Sequence, residues 1–335
     1  MNKKITIIIP CFNEEKYIAA CLDSVLNFDY NQKHMEIFVV DGMSNDNTRE
    51  IVKEYEKKCN IIKLIDNIKR TVPIAMNIGI KMSSGDYICR LDAHAIYPKD
   101  YLLKLLKWSQ KLDADNVGAV WLTDVKNKTK KSNAIKKVLS HKLGVGNSNF
   151  RIGSNDIKEV DTVPFGFFKR EVFDKYGFYD ERLTRNQDIE LNKRIKKGGG
   201  KIYLIPFVKC TYFAREDFYS LAKNNFANGK WNILTAYYTK KLNSLSLRHF
   251  IPLIFVFSII FPIILSLFDG RFIYISISIL LVYFMVIFLV SYKLKDENTD
   301  FLNIVKSFLT LHVSYGIGSL MGIIESFKRL LNDKI

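Results

Sequence analysis

Asp92 and His94 stand two residues apart where the apolar run at 87–91 stops. A carboxylate and an imidazole converging on one ligand make part of a site for a divalent cation, and Mn2+ tolerates imidazole better than Mg2+ does. Two protein ligands do not close a metal cage. They suit a cation whose coordination is completed by a substrate diphosphate. In extended chain, residues two apart project to the same side, which is the geometry this reading expects; the other reading of His94 is a solvated loop residue. Asp41 ends a second apolar run, at 36–40. It can serve as an acceptor for a nucleobase or ribose, or as a turn residue beside Gly42 with Asn45 or Asp46 capping the next helix.

Such groups need a scaffold that brings strand ends together. Ahead of Leu247, short β-rich runs at 5–9, 36–40, 61–65 and 87–91 alternate with helical stretches at 14–26, 45–58 and 72–82. That alternation predicts βαβ units, hence an α/β fold with a parallel sheet and helices on both faces. Ligands of such sheets bind outside the carboxyl ends of the strands, where Asp41 and Asp92 fall. There is no GxGxxG and no GxxxxGK[ST] in this part, which excludes a dinucleotide-binding or P-loop site.

With 335 residues and 48% hydrophobic content, the chain can bury one sizeable domain and still have a second region. Its 50 Lys and Arg against 34 Asp and Glu give a formal charge of +16. An excess of that sign suits nucleotide phosphates, an acidic membrane surface or nucleic acid. Nucleic acid is set aside, because no interleaved aromatic motif accompanies the charge and the apolar segments below conflict with it. The five cysteines have no CxxC spacing, which fits a reduced compartment and ordinary packing. The start, MNKKITIIIP, is too short an apolar run for a secretory signal, so the N-terminal part is expected in the cytosol.

Composition changes after Leu247. The stretches 251–268 and 272–292 carry no charged side chain, and each is long enough to cross a bilayer. A third, 307–324, holds His312 and three glycines between Lys306 and Glu325, and can span, re-enter or lie in the interface. Loop charge orients them: Lys240, Lys241 and Arg248 inside, the turn at 269–271 outside, Lys293 and Lys295 inside. A third crossing would put Lys328, Arg329 and Lys334 outside, which favours a re-entrant or interfacial segment. The expected division is a cytosolic domain at 1–247 and a membrane region at 248–335.

The ordered set PCFNEE, VVDGMSNDNT, AMNIGIKMSSGDYICRLDAHA, VPFGFFKREVFDKYGFYDERL and NQDIELNKRI resembles the family 2 glycosyltransferases, from about Lys4 to Trp231. It is most similar to the branch typified by succinoglycan-biosynthesis glucosyltransferases, in which the DxD motif reads DAH. The resemblance implies the glycosyltransferase A-type fold, which binds nucleotide sugars, followed by membrane helices. It puts Pro10, Asn13, Glu14 and Asp41 around the nucleoside and Asp92 at the ribose and metal. His94 takes the place of the second carboxylate, holding Mn2+ or Mg2+ and the diphosphate. The family's base is the Asp of an ED pair heading a helix; here the pair is Gln187 and Asp188, so Asp188 is the expected base and Gln187 a departure. Read without the resemblance, Asp188 is a first-turn carboxylate favoured by the helix dipole, with Asn186 able to cap and Ile189, Leu191 and Ile195 to pack. Gly166 of GFFKR matches the acceptor side. NNFANGKW stands where processive relatives carry QxxRW, and only Lys230 and Trp231 resemble it; with Arg215 they are candidates for diphosphate or sugar contact. The missing Gln implies transfer of one sugar at a time.

The expectation is an inverting, metal-dependent transferase in the cell membrane, multi-pass, its catalytic domain on the cytosolic side. Its partners would be a nucleoside diphosphate sugar, expected to be a UDP-sugar, a lipid-linked saccharide acceptor and membrane lipid. The product would belong to extracellular polysaccharide, capsule or a related glycan. The alternatives are a polyprenyl-phosphate glycosyltransferase and a non-catalytic membrane scaffold that keeps the fold.

Overall fold

The computed structural model describes residues 3–240 and 249–332. Leu247, Lys241, Arg248 and Lys334, used above for the boundary and the charge argument, lie outside the described residues. The chain forms two compact units, one of 1–122 with 149–213 and one of 123–148 with 214–335.

In the first unit β1 (Ile5–Cys11), α1 (Ile18–Leu26), β2 (Met35–Asp41), α2 (Thr48–Lys58), β3 (Ile62–Asp66), α3 (Val72–Met82) and β4 (Tyr87–Arg90) alternate as the sequence predicts. β1 pairs in parallel with β2 and with β4, and β2 pairs in parallel with β3. Successive side chains face opposite ways, so Ile5, Ile7 and Ile9 of β1 join Cys21, Leu22 and Val25 of α1, while Ile8 joins Ala75, Met76 and Ile80 of α3. Both sets are buried because helices cover both faces, which is why these strands read as continuous apolar runs. α1 begins later than residue 14. Residues 14–17 form a turn in which Tyr17 and Ile18 donate their backbone N–H to the Glu14 carbonyl.

The sheet then turns mixed. β5 (Ala95–Ile96), α4 (Tyr101–Lys111) and β6 (Asn116–Asp124) precede α5 (Lys130–Leu139) and α6 (Lys142–Val145), which belong to the second unit. α7 (Asn149–Ile152), β7 (Lys158–Glu159), β8 (Phe167–Lys169), α8 (Glu171–Tyr176), α9 (Gln187–Lys197) and β9 (Ile202–Phe213) complete the first. β8 joins β4 and β6 antiparallel, and the order runs β3-β2-β1-β4-β8-β6-β9-β5. Cys11, Asp41 and Asp66 lie in register at neighbouring strand ends, which builds one polar rim.

The second unit contains α10 (Phe218–Thr239), α11 (Ile251–Leu265), α12 (Ile273–Leu294) and α13 (Phe301–Asn332). Within this unit α10 packs along α13. Their backbones meet at Gly229 and Gly318, where a Cβ would run into the Tyr315 and Phe226 carbonyls respectively. This explains Gly318 of the 307–324 stretch, which is part of one unbroken 32-residue helix. Two helical segments, Gly270–Leu294 and Phe301–Asn332, are long and apolar enough to cross a membrane. The expected first span is shorter. α11 has 15 residues with Pro262 inside it, about 22 Å at 1.5 Å per residue against a hydrocarbon core of about 30 Å.

Candidate active site

Two loops at the strand ends are clipped together. Asn13, held at φ 56°, accepts the backbone N–H of Asn45 at 3.0 Å through its side-chain oxygen, and donates its own N–H to Ser44 Oγ at 2.8 Å. Short polar Asn tolerates that left-handed conformation better than most residues. Glu14 donates its backbone N–H to Thr48 Oγ1 at 2.8 Å, and Glu15 receives the Asn47 N–H at 3.1 Å. Asp41 is fully buried beneath them. It accepts from Ser44 N at 2.9 Å and Ser44 Oγ at 2.5 Å, and from Arg49 Nη1 at 2.8 Å. Arg49 Nη2 reaches Asp66 at 2.8 Å, so one guanidinium ties the ends of β2 and β3. Asp41 thus accepts hydrogen bonds from the loop that follows it and from Arg49. Pro10 lies in β1 opposite Val40, half-buried.

Asp92 and His94 come together, but through a turn between β4 and β5 and not through extended chain. Residue 94 is anchored where its carbonyl accepts the Phe213 N–H at 3.1 Å, and Ala95 pairs with Tyr212. His94 Nδ1 lies 3.2 Å from Asp92 Oδ1 and 3.1 Å from Glu14 Oε1. Burial works against its charge, yet Asp92, with Glu14, outweighs this and holds the imidazole well above the usual histidine range. Nε2 is buried and has no hydrogen-bond partner. The Tyr97 hydroxyl accepts the Asp92 N–H at 2.7 Å, fixing the turn from below.

Arg90, the last residue of β4, was not foreseen, although a lone cation in the apolar string YICRL was a readable signal. Burial opposes its charge, but Asp188 first, then Tyr179 and Asp92, hold the guanidinium above an ordinary arginine's range. Its Nε and Nη1 are buried without a hydrogen-bond partner. Asp188 is the second residue of α9 and is half-buried; its Oδ1 accepts the Ile189 N–H at 2.9 Å. Leu191 and Ile195 hold α9 on the sheet, as expected, whereas Ile189 stays only half-buried. Asn186 differs from expectation: at φ 60° its side chain makes no cap bond, and only its carbonyl enters the helix, accepting from Glu190 N at 2.9 Å. Gln187 is buried with Oε1 unpartnered. Gly166, at φ 90°, is needed for a local reason, since a Cβ there would strike the Phe168 ring. Its carbonyl accepts the Arg90 N–H at 3.0 Å.

The remaining candidates belong to the second unit. Arg215 is exposed. Lys230 pairs with Glu325 at 2.5 Å, and Trp231 stacks on Tyr238 with centroids 6.4 Å apart. The Lys230 pairing was not legible in NNFANGKW, because Glu325 comes from α13, whereas Tyr238 lies two turns on in α10 itself.

A fold that gathers carboxylates, an imidazole and a guanidinium with two unpartnered nitrogens at the ends of parallel strands belongs with enzymes that handle charged nucleotide substrates. Residues 6–177 match Glycosyl transferase family 2, and the chain belongs to that family. It is a glycosyltransferase. Among its relatives, the dolichyl N-acetyl-alpha-D-glucosaminyl phosphate 3-beta-D-2,3-diacetamido-2,3-dideoxy-beta-D-glucuronosyltransferase of Methanococcus voltae is 32% identical over 241 residues, covering 67% of this chain and 71% of the relative. The succinoglycan biosynthesis protein ExoA of Rhizobium meliloti is 30% identical over 226 residues, covering 67% of each, and supports the expected branch. The mannosyltransferase PcManGT of Pyrobaculum calidifontis, solved with GDP-Man and Mn2+, superposes with a TM-score of 0.63 at 15% identity, covering 97% of this chain and 88% of that one. That likeness establishes the A-type fold.

Proposed function

We propose that this glycosyltransferase moves a single sugar, with inversion, from a nucleoside diphosphate sugar to a lipid-linked saccharide at a membrane surface. The observation that carries it is Arg90 at the end of β4, whose Nε and Nη1 are buried without a partner and whose charge is favoured by those of Asp188 and Asp92. That supports reading the expected base and the DAH turn as parts of one site. Asp188 takes the proton of the acceptor hydroxyl as that oxygen bonds to the sugar's anomeric carbon, and the nucleoside diphosphate leaves from the opposite face. Asn13 and Glu14, on the clipped loops, border the nucleoside. Glu14 also braces His94, so the loop and the DAH turn keep a common geometry.

The site suits a divalent cation. Among the described residues no group of three or more His, Cys, Asp or Glu forms a metal cluster. Asp92 would supply an oxygen donor and His94, once its imidazole gives up a proton as the cation arrives, a nitrogen donor at the orphaned Nε2, a pair of the kind that Mn2+ or Mg2+ takes when phosphate oxygens complete the shell. When bound there, the cation supplies neutralisation of the charge that develops on the departing diphosphate. A lipid-linked acceptor is supported by the name of the Methanococcus voltae relative, which acts on a dolichyl phosphate sugar, and a polysaccharide product by that of the succinoglycan biosynthesis protein. The apolar helices α12 and α13 support membrane anchoring, with the first unit on the cytosolic side and a UDP-sugar as the expected donor.

The test is nucleoside diphosphate release over a panel of nucleotide sugars, with membrane-extracted lipid acceptor present. Release with one donor is expected, lost in excess chelator and restored by Mn2+. No release with any donor would favour the scaffold alternative, and full activity in chelator would remove the cation from the proposal.

A further inference from the structure

Arg151, on α7, lies in an aromatic bracket. Its guanidinium carbon is 4.7 Å from the Trp121 ring centroid, 5.7 Å from Phe150 and 5.9 Å from Tyr212. Trp121 and Tyr212 are themselves stacked, 4.3 Å apart at 8°. The far neighbour of Tyr212 is His94, with ring centroids 5.0 Å apart. Arg151 is therefore one aromatic ring removed from the DAH turn. No carboxylate among the described residues pairs with it.

Stacking on ring faces stabilises a guanidinium and fixes its plane, while leaving the N–H donors at its edge for a planar or tetrahedral anion. A half-buried cation with no counter-charge is costly to hold unless an anion arrives. Burial indeed pushes the Arg151 guanidinium down from the ordinary arginine range, with the Tyr212 ring the one group that opposes this. Two nearby cations do have acids: Arg49 has Asp41 and Asp66, and His94 has Asp92 and Glu14.

We infer that Arg151, set in the Trp121–Phe150–Tyr212 bracket, binds a phosphate group of one of the two substrates. The inference rests on the glycosyl-transfer reading for what those substrates are. Two sources carry that chemistry, the diphosphate of the donor and the phosphate that links the acceptor sugar to its lipid. The guanidinium forms paired hydrogen bonds to phosphate oxygens, a role that a point-charge lysine fills less well. In this chain it supplies a phosphate-binding cation that Lys230 does not offer, since Lys230 is committed to Glu325.

The experiment compares wild-type full-length chain with Arg151→Gln and Arg151→Lys in lipid nanodiscs. Affinity is measured with Mn2+ for the tightest-binding of UDP, GDP and dTDP and for its parent nucleoside, and separately for polyprenyl phosphate and uncharged polyprenol. If the donor is the source, Arg151→Gln weakens nucleoside diphosphate binding about tenfold or more and leaves the nucleoside unchanged. If the acceptor is the source, the same loss falls on polyprenyl phosphate and not on polyprenol. Arg151→Lys should recover only part of either loss. Unchanged affinity for both phosphates in a folded Arg151→Gln protein overturns the inference. Should that variant fail to fold, amide exchange in wild-type residues 149–152 decides, with slowing by one of the two phosphates expected and no slowing by either overturning it. All of these are binding readouts, so a chain that binds phosphate here yet transfers no sugar would refute the glycosyl-transfer reading while leaving Arg151 in place.

Discussion

Both units bury apolar side chains, the second Ile287, Ile304, Phe308 and Leu311 among them, but they differ in what the helices leave outside. In the first, Ile5, Ile7, Ile9, Leu22 and Val39 are inside; in the second, Ile254, Phe257, Leu281, Met285 and Leu289 face outward while Ser276, Ser291, Ser307 and Ser319 are inside. Ser276 donates to the Ile259 carbonyl at 2.8 Å, and Tyr283 and His312 meet at 3.0 Å. Water drives the first arrangement by expelling apolar surface. Lipid tails are as apolar as leucine and give no such drive, so helices in lipid join through close backbone approach and polar pairs. The same apolar residue types thus build a core in both units and, in the second, an outer coat as well, an arrangement that suits a lipid surrounding.

The comparison can be broken at several points. The largest effect is expected in the water-facing unit's chemistry. Asp188→Asn should lower turnover by about 10² to 10⁴ with donor affinity nearly unchanged, and Asp92→Ala should lose both; rates and nucleotide affinities on the same preparations check this. An Asp188→Asn enzyme turning over normally would refute the assigned base. Arg49→Ala removes the cation from fully buried Asp41 and should destabilise the first unit by about 3–5 kcal/mol in denaturant titration.

A matched pair then tests the solvent argument. Leu281→Asp, 66% exposed on α12, should cost about 2.5–3.5 kcal/mol of membrane insertion if lipid surrounds it. Gly318→Val follows, at about 1–3 kcal/mol of second-unit stability in micelles, because the added methyls meet the fixed Phe226 carbonyl. Smallest of all is Ile68→Asp, 81% exposed in the first unit, within about 0.5 kcal/mol of wild type by thermal melting. Equal costs for Leu281→Asp and Ile68→Asp would show that water bathes both units.

Much of the first unit was legible in the residues themselves. Strand and helix alternation up to Arg90 follows from local apolar patterning, and the polar residues that end each run mark the rim whatever the rest of the chain does. The chemistry-bearing types at 13–14, 92–94 and 188 could be picked out because they interrupt apolar periods or match an ordered motif set. The sequence by itself determined those elements, the apolar character of the C-terminal helices and the cation excess, since all three depend on neighbours within a few residues. Tertiary structure alone decided the rest. Asp41 became a buried loop anchor when Arg49 reached it, and Lys230 was taken by Glu325 from a helix some ninety residues away. Arg90 came under the charges of Asp188 and Asp92, and Arg151 was set on rings from positions 121, 150 and 212. These pairings join side chains far apart along the chain, and local propensity says nothing about which distant partner arrives, because that is settled by the packing of whole elements and the solvent each unit faces.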